Sequence, residues 1–313
     1  MTSASIPRLR SLVLFREGRD HTGNANMPRG LDHIVHAVRD LEAAGELYRR
    51  LGFTVGARNR HLWGTHNRNI QFPGCFVELL TMAEPDRLGS DGFSTHFGRF
   101  TQSFLAHREG LSHLILESAD VAADAEAFRA AGIAASDALY FEREGSRPDG
   151  SKVKIAFTVA FARERHAPNI GFAVCQQHHP ENFWSPEFQR HSNTASAIAG
   201  AVLVAENPAD LHIFLTAFTG VRELRATSSG VTAPTPRGAV EVMDPAAFKI
   251  HFGVAAPDVS AGARLAAIRF ELRDPAALQA ALGAGGIASL AHAGATVVPP
   301  QTAMGATLVF AGA

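Results

Sequence analysis

The sequence predicts an α+β protein built from four βαβββ modules that pair into two domains. Three observations lead to this prediction: a length of 313 residues, an ordinary globular composition, and a segment that recurs four times. The length suits two domains, each with its own apolar core. Hydrophobic residues make up 46% of the chain and charged residues 19%, which is typical of a packed fold rather than of disorder.

The recurring segment is clearest in residues 31–53 and 111–133, which align without a gap at an offset of 80. A third copy begins at Leu265, at an offset of 234, and a looser fourth copy covers 197–221. Three copies share a leucine, and all four have a capping position and a glycine at matching places. These are Leu31/Leu111/Leu265, Asp40/Asp120/Asp274 with Asn207 or Pro208 in the fourth copy, and Gly52/Gly132/Gly286/Gly220.

Each copy has the pattern of a strand followed by a helix and a new strand. In the first copy the apolar run 34–38 indicates a strand, and Asp40 suits the N-cap of the next helix. Gly52 is placed to end that helix in a left-handed turn. The room that remains in the first two modules predicts further strands at 67–73, 75–82, 135–142, 152–160 and 170–177, with a hairpin turn at Pro148-Asp149-Gly150.

The modules are expected to form domains at 27–180 and 195–313, joined by a linker at 181–194. Residues 1–26 are expected to be a flexible tail, because their short apolar run is unlike a signal peptide or a membrane span. Met27 resembles a natural start, so the sequence leaves open whether this tail belongs to the native protein.

The segment 83–110 connects the first two modules and contains apolar residues at helical spacing. These are Phe97, Phe100, Phe104 and Leu105. We expect a helix that covers the sheet, with a substrate-covering lid as the alternative.

Charge and cysteine content narrow the functional classes. Lys and Arg number 29 against 30 Asp and Glu, a net charge of -1, so nucleic acid is not an expected partner. Cys75 and Cys175 form no CxxC pair or disulfide framework, which favours a reducing, cytoplasmic location without a membrane. The expected partner is a small-molecule substrate, and assembly as a homodimer stays open.

A matched pair of histidines is the strongest indication of a functional site. His33 and His113 occupy the same position in the first two modules, and pairing these modules about a pseudo-twofold axis would bring both imidazoles to one cleft. The aligned positions of the second domain hold Gly200 or Ala201 and Ala267. The histidines are therefore not required merely to build the module.

Glu78 lies within an apolar run, 75–80, that predicts a buried strand. A buried carboxylate must be paired, hydrogen-bonded or bound to a metal. Two imidazoles and a carboxylate suit Fe, Mn, Ni, Co or Zn as divalent ions. The structural alternative is a pair of core histidines beside an ion-paired glutamate.

The first module contains four motifs in order: GLDHIV at 30–35, DL at 40–41, YRRLGF at 48–53 and FVEL at 76–79. They resemble the first module of vicinal oxygen chelate proteins, the superfamily of glyoxalases, bleomycin-resistance proteins and extradiol dioxygenases. The resemblance covers residues 28–313 as architecture but the first domain only as metal motifs.

The resemblance implies that metal ligands come from the first and last strands of paired modules, which places them at His33, Glu78 and His113. A fourth ligand is expected on the last strand of module two, where the glyoxalase carboxylate is missing. Gln176 is preferred by alternation. The alternatives that stay open are Cys175, Gln177 and His178.

The segment that begins at Cys175 and runs through Trp184 to Asn193 is similar to a glyoxalase-like subgroup. It is expected to be a strand end and linker or, equally, the rim of the cleft. Residues that would act at such a rim are His178, His179, Glu181 and Trp184. His61 and His66 are expected in a solvated loop, with anion or substrate contact as the alternative. The glycines at 283–286 follow a predicted helix and indicate its C-terminal turn rather than a dinucleotide loop.

The resemblance implies a metal-dependent glyoxalase-like enzyme, an isomerase or lyase, acting on a small substrate with vicinal oxygens. Glu78 is the expected catalytic residue that moves the proton. An extradiol-type ring-cleaving dioxygenase is the first alternative. A non-catalytic protein that binds a small molecule or drug is the second.

Overall fold

The computed structural model describes residues 27–146 and 150–312, so the expected tail and Pro148-Asp149 of the expected hairpin turn lie outside the described residues. Within those ranges the chain forms two curled eight-stranded sheets. None of the helices in the described part of the chain has both the length and the apolar character needed to cross a bilayer.

The first sheet contains the strands of modules one and two. They are β1 (Leu31–Ala37), β2 (Asn59–Arg60), β3 (Thr65–Phe72), β4 (Cys75–Met82), β5 (Gly110–Glu117), β6 (Leu139–Ser146), β7 (Lys152–Ala162) and β8 (Gly171–Gln177). The second sheet contains those of modules three and four. They are β9 (Ala195–Val204), β10 (Arg225–Thr227), β11 (Gly230–Pro234), β12 (Ala239–Met243), β13 (Arg264–Leu272), β14 (Leu290–His292), β15 (Ala295–Val298) and β16 (Thr307–Gly312).

Seven α-helices accompany these strands in the described residues. They are α1 (Leu41–Arg50), α2 (Arg99–His107), α3 (Val121–Ala130), α4 (Pro180–Phe183), α5 (His212–Thr219), α6 (Pro245–Phe252) and α7 (Pro275–Gly285). Short 3-10 turns occur at Pro85–Arg87 and Pro208–Leu211, and a π-helical turn at Ser94–Gly98 leads into α2.

Both sheets have the same pseudo-symmetric topology. The strand order is β2-β3-β4-β1-β5-β8-β7-β6 in the first sheet and β10-β11-β12-β9-β13-β16-β15-β14 in the second. In each sheet the first strands of the two modules pair antiparallel at the centre, and each pairs in parallel with the last strand of its own module. The predicted α+β architecture of four paired βαβββ modules is confirmed.

The capping pattern that revealed the repeat is also present. Asp40, Asp120, Asp274 and Asn207 each accept a hydrogen bond from a backbone N–H of the helical turn that follows. The helix-ending glycines have φ between 61° and 85°, the left-handed region that the sequence pattern requires. They are Gly52, Gly132, Gly220 and Gly286.

The helix-bearing faces of the two sheets share one apolar core. Phe172 packs against Phe214 with 4.6 Å between ring centroids, and Phe53 packs against Phe270 at 5.2 Å. Helix α1 contacts α7, and α3 contacts α5. Helices α1, α3, α5 and α7 therefore lie between the two sheets. The opposite face of each sheet is not covered by these helices.

These opposite faces differ between the sheets. In the second sheet Phe248 and Phe252 of α6 pack with Val202 and Val309 and fill the face with side chains. In the first sheet α2 covers only part of the face, as the helical spacing in 83–110 predicts. The uncovered part is a cleft.

Candidate functional site

The cleft on the first sheet has aromatic walls and a polar floor, with an empty space of about 710 Å³ that includes its opening to solvent. Aromatic walls and a few convergent polar groups are typical of small-molecule sites. The wall residues are Trp63, Phe76, Phe93, Phe97, Phe141, Phe157, Phe161 and Phe183. The polar groups are Asp32, His33, His61, Asn67, Asn69, Glu78 and Arg143.

The register of three adjacent strands places His33, Glu78 and His113 on this face. Val35 of β1 lies opposite Glu78 of β4 and also opposite His113 of β5. His33 lies two residues before Val35 and therefore on the same side of the sheet. The three side chains thus start from neighbouring positions, diagonal to one another across the central strands.

His33 is oriented by its neighbour in sequence. Its Nδ1 donates to Asp32 Oδ1 at 2.5 Å, and the other Asp32 oxygen accepts from Gln177 at 3.1 Å. The ring stacks on Phe76 with 4.4 Å between centroids. These contacts direct Nε2 toward Glu78, whose Oε2 lies 3.9 Å away, too far for a hydrogen bond.

Glu78 is buried, and one of its oxygens is held by an amide. Asn67 Nδ2 donates to Oε1 at 2.5 Å, and His61 Nε2 lies 4.0 Å from the same oxygen. Burial raises the pKa of Glu78, although the neighbouring His33 and the Asn67 hydrogen bond oppose the rise. The carboxyl group therefore retains a proton more readily than an exposed glutamate does.

His113 lies beneath α2, where Phe97 and Phe100 each pack at 4.7 Å between ring centroids. Its Nδ1 is hydrogen-bonded to Ser112 Oγ at 2.8 Å, while its buried Nε2 has no hydrogen-bond partner among the described residues. Burial lowers the pKa of His113 to about 3, so the imidazole is neutral near pH 7. A neutral imidazole is the form that binds metals.

The preferred fourth ligand, Gln176, does not line the cleft, whereas Cys175, one of the alternatives, does. Gln176 points to the opposite side of β8, where its amide bonds to Ala119 O at 2.8 Å, so the alternation that selected it was wrong. Ala173 and Cys175 face the cleft instead. Ala173 lies opposite Ile115 as Glu78 lies opposite Val35, so the pseudo-symmetric mate of Glu78 is an alanine.

The three other expected ligands, His33, Glu78 and His113, do not converge on a single position in this structure. Within residues 27–146 and 150–312, no three His, Cys, Asp or Glu side chains are grouped closely enough to hold one ion as they stand. His33 and Glu78 lie together on the floor of the cleft, whereas His113 lies to one side under the Phe97 ring.

His61 belongs to the site, and the expectation of a solvated loop was wrong for it. The ring lines the cleft, stacks on Trp63 at 4.6 Å and is hydrogen-bonded through Nδ1 to Thr65 Oγ1 at 2.8 Å. Burial lowers its pKa to about 3. His66 is buried too, but it faces Glu84 at 2.9 Å and does not line the cleft.

The segment after β8 forms part of the rim. Phe183 lines the cleft, and Trp184 packs against Phe76 with 6.0 Å between centroids. His178 is hydrogen-bonded to Thr158 Oγ1, and His179 lies 3.5 Å from Glu181. The aromatic residues of this segment, rather than its histidines, contact the site.

Asp32, Asn67 and Arg143 line the cleft without having been predicted from the sequence, whereas for His61 the sequence left substrate contact open as the alternative. Asp32 adjoins a candidate ligand in the sequence, which is a usable signal because metal-binding histidines are commonly oriented by a carboxylate. Asn67 and Arg143 lie on strands without any comparable pattern, and their place in the cleft follows from the fold alone.

Comparison with solved structures supports this architecture. A hypothetical protein from Staphylococcus aureus is similar over 91% of this chain and 100% of its own, with a TM-score of 0.65 and 10% identity. A mutant of 4-hydroxymandelate synthase from Streptomyces coelicolor is similar over 86% and 78%, with a TM-score of 0.53 and 13% identity. At these identities the likeness shows the fold alone.

Sequence comparison assigns the family. No curated protein matches the chain. The model of the family described as "Glyoxalase-like domain" matches residues 31–219, which is more than half of the chain and includes the whole cleft-forming sheet. With its paired βαβββ modules and this match, the chain belongs to the glyoxalase-like domain family of the vicinal oxygen chelate superfamily.

Proposed function

We propose that the protein is a metal-dependent glyoxalase-like enzyme of the isomerase or lyase type, acting on a small substrate with vicinal oxygens. One observation carries the proposal. His33, Glu78 and His113 each have one polar atom held by a neighbouring side chain, while the other polar atom of each makes no hydrogen bond to the described residues. Ligands oriented from behind in this way are typical of metal sites.

The donor chemistry suits a divalent ion. Two imidazoles and one carboxylate match Fe, Mn, Ni, Co or Zn, and the alanine at position 173 leaves the remaining coordination positions to water or substrate. An ion held by His33, Glu78 and His113 would act as a Lewis acid on the substrate oxygens. The side chain of His113 would need to turn toward the other two, since it lies apart from them.

The chain's own residues supply the rest of the chemistry. Asp32 fixes the tautomer of His33 by accepting from Nδ1, which leaves the Nε2 lone pair free. Glu78 would move a proton at Oε2 in a state in which this oxygen is released from the ion, and burial favours this role because it raises the pKa of the carboxyl group. With substrate bound, the aromatic walls would exclude water from this floor, which would strengthen the electrostatic interactions there.

The absence of a carboxylate at position 173 favours a second candidate function. A site with two histidines and one carboxylate leaves room for both substrate and oxygen, as ring-cleaving dioxygenases require. Oxygen consumption would identify this activity, whereas an isomerase or lyase consumes none. A metal-free binding protein is the third candidate, favoured by the position of His113 apart from the other two ligands.

Metal content tests the proposal directly. The purified wild-type protein is expected to retain about one equivalent of a divalent metal after dialysis, because three buried ligands that converge when His113 turns bind more tightly than surface groups. His33→Ala and His113→Ala are each expected to abolish it. His178→Ala is the matched control, since His178 is bonded to Thr158 outside the floor of the cleft. Metal-free wild-type protein that gains none on titration would refute the proposal and leave the binding protein.

A further inference from the structure

The inner cavity of the cleft adjoins an outer pocket at a junction, called the neck, whose residues line both cavities. The outer pocket has an empty space of about 1350 Å³, including open solvent, and part of its wall is the segment 181–188. Asn69, Arg143 and Phe183 line both cavities and therefore stand at their junction. A molecule bound inside would present one end to these residues.

Arg143 faces the cleft because of its position on β6. Phe141, two residues earlier, has the same parity and lines the inner cavity. The neighbouring Glu142 and Glu144 point to the other face of the strand. They form exposed ion pairs with Lys154 and Lys152, at 2.6 and 3.0 Å respectively. These two glutamates are thus paired with lysines on the outer side of the hairpin and do not pair with Arg143.

The Arg143 guanidinium has no carboxylate within 4 Å among the described residues. Its hydrogen bond is a long one, 3.4 Å from Nη1 to the backbone oxygen of Glu144. Burial lowers the pKa of Arg143 because it removes the cation from water, although the Glu78 carboxyl group opposes the decrease. A guanidinium with most of its five donors unused is suited to bind an anion in bidentate fashion.

Asn69 provides a second unused polar group at the same neck. Its side-chain oxygen is buried and has no hydrogen-bond partner among the described residues. Asn69 lies directly opposite Glu78 on the neighbouring strand, so its amide links the floor of the cleft to the neck. The Nδ2 group of the same amide donates to none of the described residues, so it is able to bond to an acceptor on a ligand, whereas Oδ1 would require a donor.

We propose that Arg143 and Asn69 form a carboxylate subsite, and that the cleft binds an aryl acid whose ring packs among the aromatic walls. The guanidinium pairs with the carboxylate, and the Asn69 Nδ2 group donates a hydrogen bond to the same end of the molecule. The ring gains contact with Trp63 and the surrounding phenylalanines. This inference names the substrate class of the site and rests on the proposed function for its catalytic role, but not for binding.

The two tryptophans of the chain allow binding to be observed without an activity assay. Trp63 lines the inner cavity and Trp184 the outer pocket. In a Trp184→Phe background, Trp63 is the sole tryptophan and reports on occupancy of the inner cavity. Titration with 3-phenylpropionate and 2-naphthoate, with isothermal titration calorimetry in parallel, gives Kd for each acid, and their primary carboxamides serve as uncharged counterparts.

The acids are expected to bind at least about tenfold more tightly than their carboxamides, because a charge-assisted bidentate pair is lost with the amide. Arg143→Gln should weaken binding of the acids by about tenfold or more and leave the affinity for the carboxamides unchanged. Arg143→Lys should recover part of the loss, since it keeps the charge but not the fork. Arg163→Gln is the matched control, because Arg163 is exposed and does not line either cavity.

Two outcomes would overturn the subsite. One is equal affinity for acids and carboxamides, including the absence of binding by either. The other is a loss in Arg143→Gln that is no greater than the loss in Arg163→Gln. Repeating the titrations on chelator-treated protein separates the two proposals: acid binding that persists there and depends on Arg143 keeps the subsite even if metal analysis refutes the proposed function.

Discussion

Glu241 occupies in the second sheet the position that Glu78 occupies in the first. Each glutamate lies on the last strand of its module, directly opposite a valine of the module's first strand, Val202 and Val35 respectively. Glu241 forms an ion pair with Arg269, whereas Glu78 faces His33 and the Asn67 amide. The carboxylate thus occurs at the same position in the first module of each sheet. In the second sheet its ion pair with Arg269 makes it unavailable for catalysis or metal binding.

This equivalence gives a matched pair of substitutions. Glu78→Gln should lower the affinity for divalent metal by at least about tenfold, because it replaces a charged oxygen ligand by a neutral amide. Glu241→Gln makes the same chemical change in the second sheet and should leave metal affinity unchanged. Titration of both chelator-treated variants with Zn²⁺ by calorimetry provides the measurement. Equal losses in the two variants would show that Glu78 has no direct role.

His191 predicts how the stability of the protein depends on pH. Its Nε2 donates to Gln71 O at 3.0 Å, and its Nδ1 accepts from the Thr54 N–H at 3.1 Å, so the ring must be neutral. Burial lowers its pKa from 6.5 to about 4. Because the folded-state pKa lies below the unfolded value, the unfolded chain binds the proton first. The contribution to stability is complete above pH 6.5 and is lost as the pH falls toward 4.

The comparison of wild type with His191→Phe isolates this effect, since other groups titrate alike in both proteins. At pH 7.5 the variant should be less stable by about 1–3 kcal/mol, because two buried backbone groups lose their partner. At pH 4.5 most of this difference should disappear. Urea unfolding at the two pH values gives the free energies of unfolding, and a difference that is the same at both would contradict the assignment.

Gly171 is predicted to be the residue that gives His113 its position. A Cβ atom added to Gly171 would lie 2.1 Å from His113 Cδ2, and the ring is confined by Phe97 and Phe100. Gly171→Ala should therefore lower the free energy of unfolding by about 1–3 kcal/mol and also weaken metal binding, because the added methyl group occupies space that the His113 ring needs to turn toward the other ligands.

The control for this substitution is Gly283→Ala in helix α7. A Cβ atom there meets no atom within 4 Å, so this variant should be more stable than wild type by about 0.5–1 kcal/mol. Thermal unfolding and metal titration of both variants check the pair. If a folded Gly171→Ala protein binds metal as tightly as wild type, His113 is not a ligand of the metal.

The sequence was sufficient to predict the fold because the signals that define a module are local. The N-cap Asp40 and the left-handed Gly52 lie within one helix and recur at fixed offsets. The recurrence of Glu78 as Glu241 was missed for a physical reason: the connections between the first and last strands of a module differ in length, so an ungapped comparison ends before it reaches either glutamate.

The floor of the cleft was harder to predict. Strand β8 is apolar on both faces from Phe172 to Cys175, so alternation contains no signal for which side Gln176 or Gln177 takes. His61 lies outside any strand, and its burial depends on Trp63 and on aromatic residues from distant parts of the chain. Such contacts have no periodicity in the sequence.

Ala173→Glu is predicted to strengthen metal binding. Ala173 is the pseudo-symmetric mate of Glu78 and faces the same cleft, so the new carboxylate would approach the floor from the opposite strand. Affinity for Zn²⁺ should rise by about tenfold or more, since a further oxygen ligand joins two imidazoles and one carboxylate. Ala173→Gln, of nearly equal volume but uncharged, should not increase affinity, which separates ligation from repacking. If both variants remain folded and bind the metal no better than wild type, the pseudo-twofold relationship of the sheet does not extend to its chemistry.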